Sequence, residues 1–359
     1  MEVLVAPSDA FWQSKRVLVT GHTGFKGTWL CHWLTKLGAK TYGVSLQPDE
    51  RTPLWNMTRP PIEASYVIDV CDAAGISELL EKVAPDIVIH LAAQSLVQVS
   101  YLEPAQTFLT NVMGTVNVLE AARKIETACA VVVVTSDKCY ENVEQIWSYR
   151  ETDRMGGADP YSASKGCAEL AVASWRRSFF NAGNKFLASA RAGNVIGGGD
   201  WSENRLLPDC IRAFGRSERV NIRNPLAIRP WEHVLEPLAG YLNLAQKLYE
   251  HGNDFAEGWN FGPGDDDLWN VARVVERAAS LWGPGAAWSK DPDHWPKESM
   301  LLRVDATKAR LRLDWCPQLS VSEAIDWTVD WYKRVADEEN ASDLINLQIV
   351  EYERKSRAV

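Results

Sequence analysis

Arg16-Val17-Leu18-Val19-Thr20-Gly21-His22-Thr23-Gly24-Phe25-Lys26-Gly27 is the stretch that decides the fold. A β-branched run ends in a loop with a glycine at every third position. Residues 28–37 then continue with helical periodicity and stop at Gly38, a good C-terminal cap. Glycines between a strand and a helix permit a tight turn and let backbone amides at the positive helix end approach a pyrophosphate. The spacing is G-x-x-G-x-x-G, not the commoner G-x-G-x-x-G, so the reading as a dinucleotide loop depends on its place in a strand–helix–strand unit. It makes Gly21, Thr23, Gly24, Phe25, Lys26 and Gly27 cofactor-binding candidates.

Outward from this loop the first half alternates strands and helices. Strands are expected at 40–45, 66–70, 87–91, 130–134 and 186–190, and helices at 76–83, 104–124 and 161–181. The uninterrupted apolar run 130–134 suits a parallel strand buried on both faces. The pattern predicts an α/β fold with a doubly wound, Rossmann-type parallel sheet, whose ligands bind at the carboxyl ends of the strands. Gly21, Asp69, Ala92, Thr135 and Arg191 fall at those ends. Ser45, Asp69, Val70, Leu91, Ala92, Ala93 and Thr135 therefore join the cofactor candidates. NAD sites usually carry an acidic residue after the second strand. Here the chain reads Val44-Ser45-Leu46-Gln47, with Arg51 nearby, which leaves NAD and NADP both open.

Beyond Arg191 the texture becomes rich in Gly, Pro, Asn and Asp, and residues 195–200 read as a loop. Residues 1–190 are expected to form the dinucleotide domain, joined by part of 226–256. Residues 191–359 are expected to form a smaller, partly interleaved substrate domain. From about Asn340 the chain reads as a charged helical tail.

With 359 residues the chain is long enough for an ample core. The net charge is -9 without a Lys/Arg block, which argues against a nucleic-acid partner. No apolar run reaches about 18 residues, which argues against a membrane span, and residues 1–14 do not read as a signal peptide. The seven cysteines are scattered, with no C-x-x-C pair or Cys/His cluster. This pattern fits reduced thiols in a cytoplasm and calls for no metal. Of 16 tryptophans, Trp327 and Trp331 lie at helical spacing and read as core.

Tyr161-Ser162-Ala163-Ser164-Lys165 places a phenol and an ammonium on one helix face. A tyrosine with a reference pKa near 10 is a poor base at neutral pH. Positive charge from a lysine and an oxidised nicotinamide is expected to lower it. Thr135-Ser136-Asp137-Lys138-Cys139-Tyr140 closes the apolar strand and directs polar groups into the same cleft. Ser136 is placed to bond a reacting alcohol, and Asp137 and Lys138 are an adjacent acid and base. Tyr161 and Lys165 are also cofactor-binding candidates.

These motifs resemble the extended short-chain dehydrogenase/reductases, and the narrower ones resemble the nucleotide-sugar 4,6-dehydratases, in particular those acting on CDP-glucose. The resemblance runs from Arg16 to about Trp331. It rests on Thr20–Gly27, His90-Leu91-Ala92-Ala93-Gln94, Asn111–Thr115, the tyrosine–lysine pair, Thr135–Tyr140, Arg191–Trp201 and Ile228–Val234. It implies a lyase that uses NAD as a transient hydride carrier. Tyr161 would deprotonate the hydroxyl at carbon 4 of the sugar as hydride leaves that carbon. Lys138 would take the proton at carbon 5, and a protonated Asp137 would donate to the departing hydroxyl at carbon 6. Hydride would then return to carbon 6.

For the substrate, the resemblance assigns Asn194 and Arg229 to the diphosphate, with Gln94, Arg205 and Arg303 as further candidates, since arginine's planar fork suits phosphate. The nucleobase is expected near residues 206–209. One departure stands out: Ser95 and Gln98-Val99 occupy positions where a proline and paired arginines are expected. Alternatives are a dehydratase of dTDP-, UDP- or GDP-sugars, a nucleotide-sugar 4-epimerase, or a non-catalytic nucleotide binder. A plain epimerase has no need of the Asp137–Lys138 pair. By analogy a homodimer or homotetramer would form through the helices after Pro104 and Tyr161.

Overall fold

The computed structural model describes residues 7–49, 53–180, 183–291 and 299–357. Arg51, considered above for a 2′-phosphate, lies outside the described residues. The central sheet contains β1 (Arg16–Thr20), β2 (Lys40–Ser45), β3 (Ala64–Val67), β4 (Ile87–His90), β5 (Cys129–Val134) and β6 (Lys185–Ala192). A short strand, β7 (Asn194–Ile196), pairs in parallel with β8 (Trp231–His233), and β9 (Gly258–Phe261) joins the sheet edge. The seven parallel strands run in the order β9-β6-β5-β4-β1-β2-β3, the doubly wound order extended by one strand.

The apolar strands are sandwiched between two cores. Val17, Val19, Ile87, Ile89, Ala130 and Val132 face one core, and Leu18, Val88, Val131 and Val133 face the other. This is the alternation that successive side chains of a strand impose. On the first face pack α1 (Phe25–Lys36), through Trp29, Leu30, Trp33 and Leu34, and α5 (Leu235–His251), through Leu238 and Leu242. On the second pack α2 (Ala73–Val83), through Ile76 and Leu80, α3 (residues 104–124), through Val118 and Leu119, and α4 (Pro160–Phe179), through Val172. Burying each Leu- or Val-sized side chain contributes roughly 1.5–3 kcal/mol.

The structure departs from the sequence reading at four places. The third strand ends at Val67, so Asp69 and Val70 lie beyond it. The long helix α3 is interrupted by a π segment, Leu109–Met113, between Pro104–Phe108 and Gly114–Lys124. The stretch read as a loop at 195–200 begins inside β7, which forms because β8 supplies its hydrogen bonds from far along the chain. The charged tail is the docked helix α6 (Ala341–Arg357), whose Leu344, Ile345, Ile349 and Tyr352 are buried. Trp33 Nε1 and Lys36 Nζ of α1 both donate to the Glu353 carboxylate, at 2.9 and 2.7 Å. The tail thus braces the helix that opens at the glycine loop. Trp331 is fully buried, and Trp327 packs against the core. No helix among the described residues is long and apolar enough to cross a membrane.

Candidate active site

The glycine loop is built so that backbone, not side chain, meets a ligand. Gly21 has φ +71°, and a Cβ there would lie 2.8 Å from the Ala92 amide nitrogen. A Cβ on Gly27 would lie 2.2 Å from the Gly21 carbonyl oxygen. Gly24 starts α1 without a side-chain cap, which leaves first-turn amides to an anion. A cradle this close to backbone fits a dinucleotide pyrophosphate. Gly27→Ala is expected to abolish dinucleotide binding and to lower stability by about 1–3 kcal/mol through overpacking. Titration with NADH and thermal melting check this, and unchanged binding contradicts it.

One hydrogen-bond chain fixes the loop to the neighbouring strand. Thr20 Oγ1 accepts from the Leu91 and Ala92 amides, each at 3.1 Å. Its own proton therefore goes to His90 Nδ1 at 2.7 Å, and His90 Nε2 donates to Thr115 Oγ1 at 3.1 Å. Burial lowers His90 to about 3, so the ring is neutral. Among the other cofactor candidates, Ser45 Oγ accepts from the Thr23 amide at 3.5 Å. The Asp69 carboxylate folds back onto the Cys71 amide at 2.9 Å. Val70 lies against Gly114, where a Cβ would come within 2.7 Å of it.

Asp159 caps α4 by accepting from the Ser162 amide at 2.9 Å and the Ser162 hydroxyl at 2.5 Å, with Pro160 in the first turn. This holds Tyr161 and Lys165 pointing inward, and both are buried. Asn111, in the π segment, donates to Ser164 Oγ at 2.8 Å, which donates to the Tyr161 carbonyl at 2.7 Å. Asn111 also brackets the Gln94 backbone, at 2.8 and 3.0 Å. Ser136 lies beside the Tyr161 phenol and donates to Asp137 Oδ1 at 2.9 Å. Asp137 is buried, and its Oδ2 has no hydrogen-bond partner among the described residues. Burial raises its pKa, opposed by Lys138, the Ser136 hydroxyl and Arg229.

Burial pushes Tyr161 up to about 12, and the Ser136 hydrogen bond and the Arg205 charge are the largest influences opposing it. Lys165 is lowered to about 8 by burial and then by the charge of Lys26, while its Nζ donates to the Val134 carbonyl at 3.5 Å. The reason is depth: desolvation of the buried phenol outweighs the Arg205 charge.

A cavity of about 260 Å³ opens beside these groups, with Lys138, Asp159, Ser162, Arg223 and Arg229 in its wall. Gln98 and Tyr101 line it from the helix Val97–Leu102. Arg229 donates to the Ile228 and Ser299 carbonyls at 2.9 and 2.6 Å. Asn194 opens β7, its amide bonded to the Pro230 carbonyl at 3.0 Å. Arg205 donates to Asp200 at 3.3 Å and Ser95 Oγ at 3.1 Å.

Two substrate candidates are engaged elsewhere. The Gln94 amide group staples its own loop, bonding Leu96 twice and Thr107 once. The Arg303 guanidinium is held by Asp265 and the Ile146 carbonyl, and Arg303 does not line the cavity. Residues 206–209 do not line it either; Leu207 and Pro208 are buried on the helix Leu206–Gly215.

Sequence reasoning missed the support beneath the site. Glu169, one turn past Lys165, accepts from Arg191 Nη2 at 2.7 Å, Ser189 Oγ at 2.8 Å and Thr135 Oγ1 at 2.5 Å. Arg191 Nη1 donates to the Tyr140 hydroxyl at 2.8 Å, which donates to Asn260 Oδ1 at 2.6 Å. Thr135, a cofactor candidate, is thereby committed to Glu169. The available signal was Glu169 at i+4 from Lys165, on the same helix face.

The fold and this site define a Rossmann-type enzyme of the short-chain dehydrogenase/reductase kind. Residues 18–328 match the family described as GDP-mannose 4,6 dehydratase, and the chain belongs to that family. It is 48% identical over 329 residues to the CDP-glucose 4,6-dehydratase of Salmonella typhimurium, covering 90% of this chain and 92% of that one. It is 29% identical to a probable dTDP-glucose 4,6-dehydratase of Sinorhizobium fredii, covering 88% and 92%. Among solved structures, the epimerase Mth375 of Methanothermobacter thermautotrophicus superposes with a TM-score of 0.81 at 22% identity, covering 94% and 97%. The dTDP-glucose 4,6-dehydratase DesIV of Streptomyces venezuelae, a double mutant with NAD and DAU bound, superposes with a TM-score of 0.76 at 21% identity, covering 90% and 98%. The two superpositions establish likeness of fold.

Proposed function

We propose that the chain is a CDP-glucose 4,6-dehydratase, a hydro-lyase that forms CDP-4-dehydro-6-deoxy-glucose and water with NAD as its cofactor. The observation that carries this reading is the Tyr161–Ser136–Asp137 cluster, with Lys138 in the wall of the adjoining cavity. The 48% identity to the Salmonella enzyme supports the choice of CDP-glucose. The glycine cradle, with Lys165 and Tyr161 beyond it, would hold the dinucleotide. Bound NAD supplies a hydride acceptor for carbon 4 and, once reduced, a donor for carbon 6.

The residues divide the proton work. Tyr161 takes the proton of the hydroxyl at carbon 4, and Ser136, beside the phenol, orients that hydroxyl. Lys138 removes the proton at carbon 5, made acidic by the new ketone. Asp137 protonates the leaving hydroxyl at carbon 6, and burial raises its pKa toward the acid form that this step needs. Arg229, Asn194 and Arg205 would meet the diphosphate, and residues 191–359 mainly form the substrate side.

Lys138→Ala is expected to leave oxidation at carbon 4 intact and block elimination, lowering dehydration about 10²–10⁴-fold. Reduced nicotinamide should then accumulate in its absorbance band during a single turnover. Wild-type product formation would move the base elsewhere.

Asp137 sets a pH limit of definite sign. Its pKa in the fold is raised, so the acid form is complete below that value and is lost as pH rises through it. The elimination step is expected to slow on the alkaline side. A pre-steady-state pH series on water loss checks this, and a profile without any alkaline decline contradicts it.

The cytoplasmic location is proposed with all seven cysteines free, as a reducing compartment keeps them. A homodimer is proposed through α3 and α4. Leu102 ahead of α3, and Phe108, Leu109 and Met113 on it, are exposed together with Leu170 and Phe179 of α4, an apolar surface of the kind that marks an interface.

A further inference from the structure

A buried charge pair outside the proton machinery stands between the glycine loop and the catalytic helix. Lys26 is in the first turn of α1, and its Nζ has the Tyr241 hydroxyl of α5 at 3.5 Å. Glu232 is in β8, in register with Val195 next to Asn194. Its side chain is buried, and neither carboxylate oxygen has a side-chain hydrogen-bond partner among the described residues. An unpaired buried carboxylate is costly and is retained only where something compensates it. Lys26 is the strongest charge acting on Glu232, and Glu232 the strongest acting on Lys26. The two stop short of contact, so the carboxylate retains bonding capacity.

The other groups facing Glu232 are Glu236 on α5, Asp137 on the turn after β5, and the backbone at Gly193. Those facing Lys26 are Arg205, Asp137 and Asp200, and Lys165 on α4 feels its charge. Tyr241 is influenced by Glu232, Tyr161 and Asp137 alike. The pair therefore lies under the space between cradle and catalytic tyrosine, where the reactive ring of a dinucleotide must sit.

From this placement we infer that Glu232 is the adjustable counter-charge of the cofactor pocket. It ionises when the cationic, oxidised nicotinamide enters and thereby favours that form over the neutral, reduced one. Its proton passes to solvent on binding. Lys26 alone would repel a cationic ring, and a Glu232 carboxylate cancels that repulsion. Burial raises Glu232 and lowers Lys26, and each opposes the shift of the other, so an added charge nearby favours the ionised carboxylate. A unit charge about 10 Å away, at an effective dielectric near 20, changes affinity about tenfold. The inference goes beyond the proposed reaction but rests on NAD as its cofactor.

The test is isothermal titration of the full-length, cofactor-free protein with NAD and with NADH, near neutral pH, in two buffers of different ionisation enthalpy. Wild type should release a proton to buffer with NAD and not with NADH. Glu232→Gln should raise the Kd for NAD by up to about tenfold, the ceiling reached where Glu232 is already ionised in the free protein, lose the proton release and leave the Kd for NADH within about twofold. Glu232→Asp should keep both properties of the wild type. An unchanged NAD/NADH ratio in Glu232→Gln overturns the inference. So does proton release that persists in it, which would make Lys26 the source, and so does equal weakening of both forms, the mark of structural damage. Wild-type protein that binds neither form overturns the cofactor reading and this inference with it.

Discussion

Tyr161→Phe is expected to slow turnover of CDP-glucose about 10²–10⁴-fold, the range that one positioned acid–base group supplies, and to leave the melting temperature near that of wild type. The first half follows from placement. The phenol is buried at the head of α4 beside Ser136. The second half follows from what the substitution leaves behind. Ser136 Oγ retains Asp137 Oδ1 at 2.9 Å and the Lys138 amide at 3.2 Å, so no buried polar group is orphaned. The ring stays and fills the same space. Steady-state kinetics with a thermal melt decide the matter. Full activity removes Tyr161 from its role, and lost activity with lost folding makes it a packing residue.

The largest effect on stability is expected at Arg191. Its ion pair with Glu169 is almost fully buried, with 5% and 3% of the side chains exposed. Removing one partner of such a pair typically costs about 3–5 kcal/mol, because the other charge stays buried and uncompensated. Arg191→Met leaves the Glu169 carboxylate with only the Thr135 and Ser189 hydroxyls, and the Tyr140 hydroxyl without its donor. Urea unfolding should show that loss, and Arg191→Met combined with Glu169→Gln should recover a large part of it. A single variant as stable as wild type would contradict the account. There is a functional corollary: Glu169 already raises the Lys165 pKa against burial, so a Glu169 freed from Arg191 should raise it further.

The residues legible in the sequence were those whose partners lie close along the chain or whose backbone needs are severe. The glycines at 21 and 27 announce a turn that admits no Cβ, and Tyr161 and Lys165 share a helix face through a spacing of four. What stayed hidden depends on distant pairing. Glu169 meets Arg191 across 22 positions, Arg191 meets Tyr140 across 51, and Tyr140 meets Asn260 across 120. No local pattern marks such a network. The strand Asn194–Ile196 was hidden for the same reason, since Trp231–His233 makes it a strand. Gln94 and Arg303 suit the substrate by residue type, and in the fold Leu96, Thr107 and Asp265 engage their side chains, as Asp200 and Ser95 engage Arg205.

The reaction assigned to this chain rests on one internal exchange: hydrogen lifted from carbon 4 comes back at carbon 6 of the same sugar while one water departs. CDP-glucose carrying deuterium at carbon 4, incubated with the purified protein and NAD and followed by mass spectrometry and NMR, tests that exchange directly. The account predicts a product lighter by one water with deuterium at carbon 6. Deuterium washed out into solvent, an epimer of unchanged mass, or recovery of the intact substrate would contradict it.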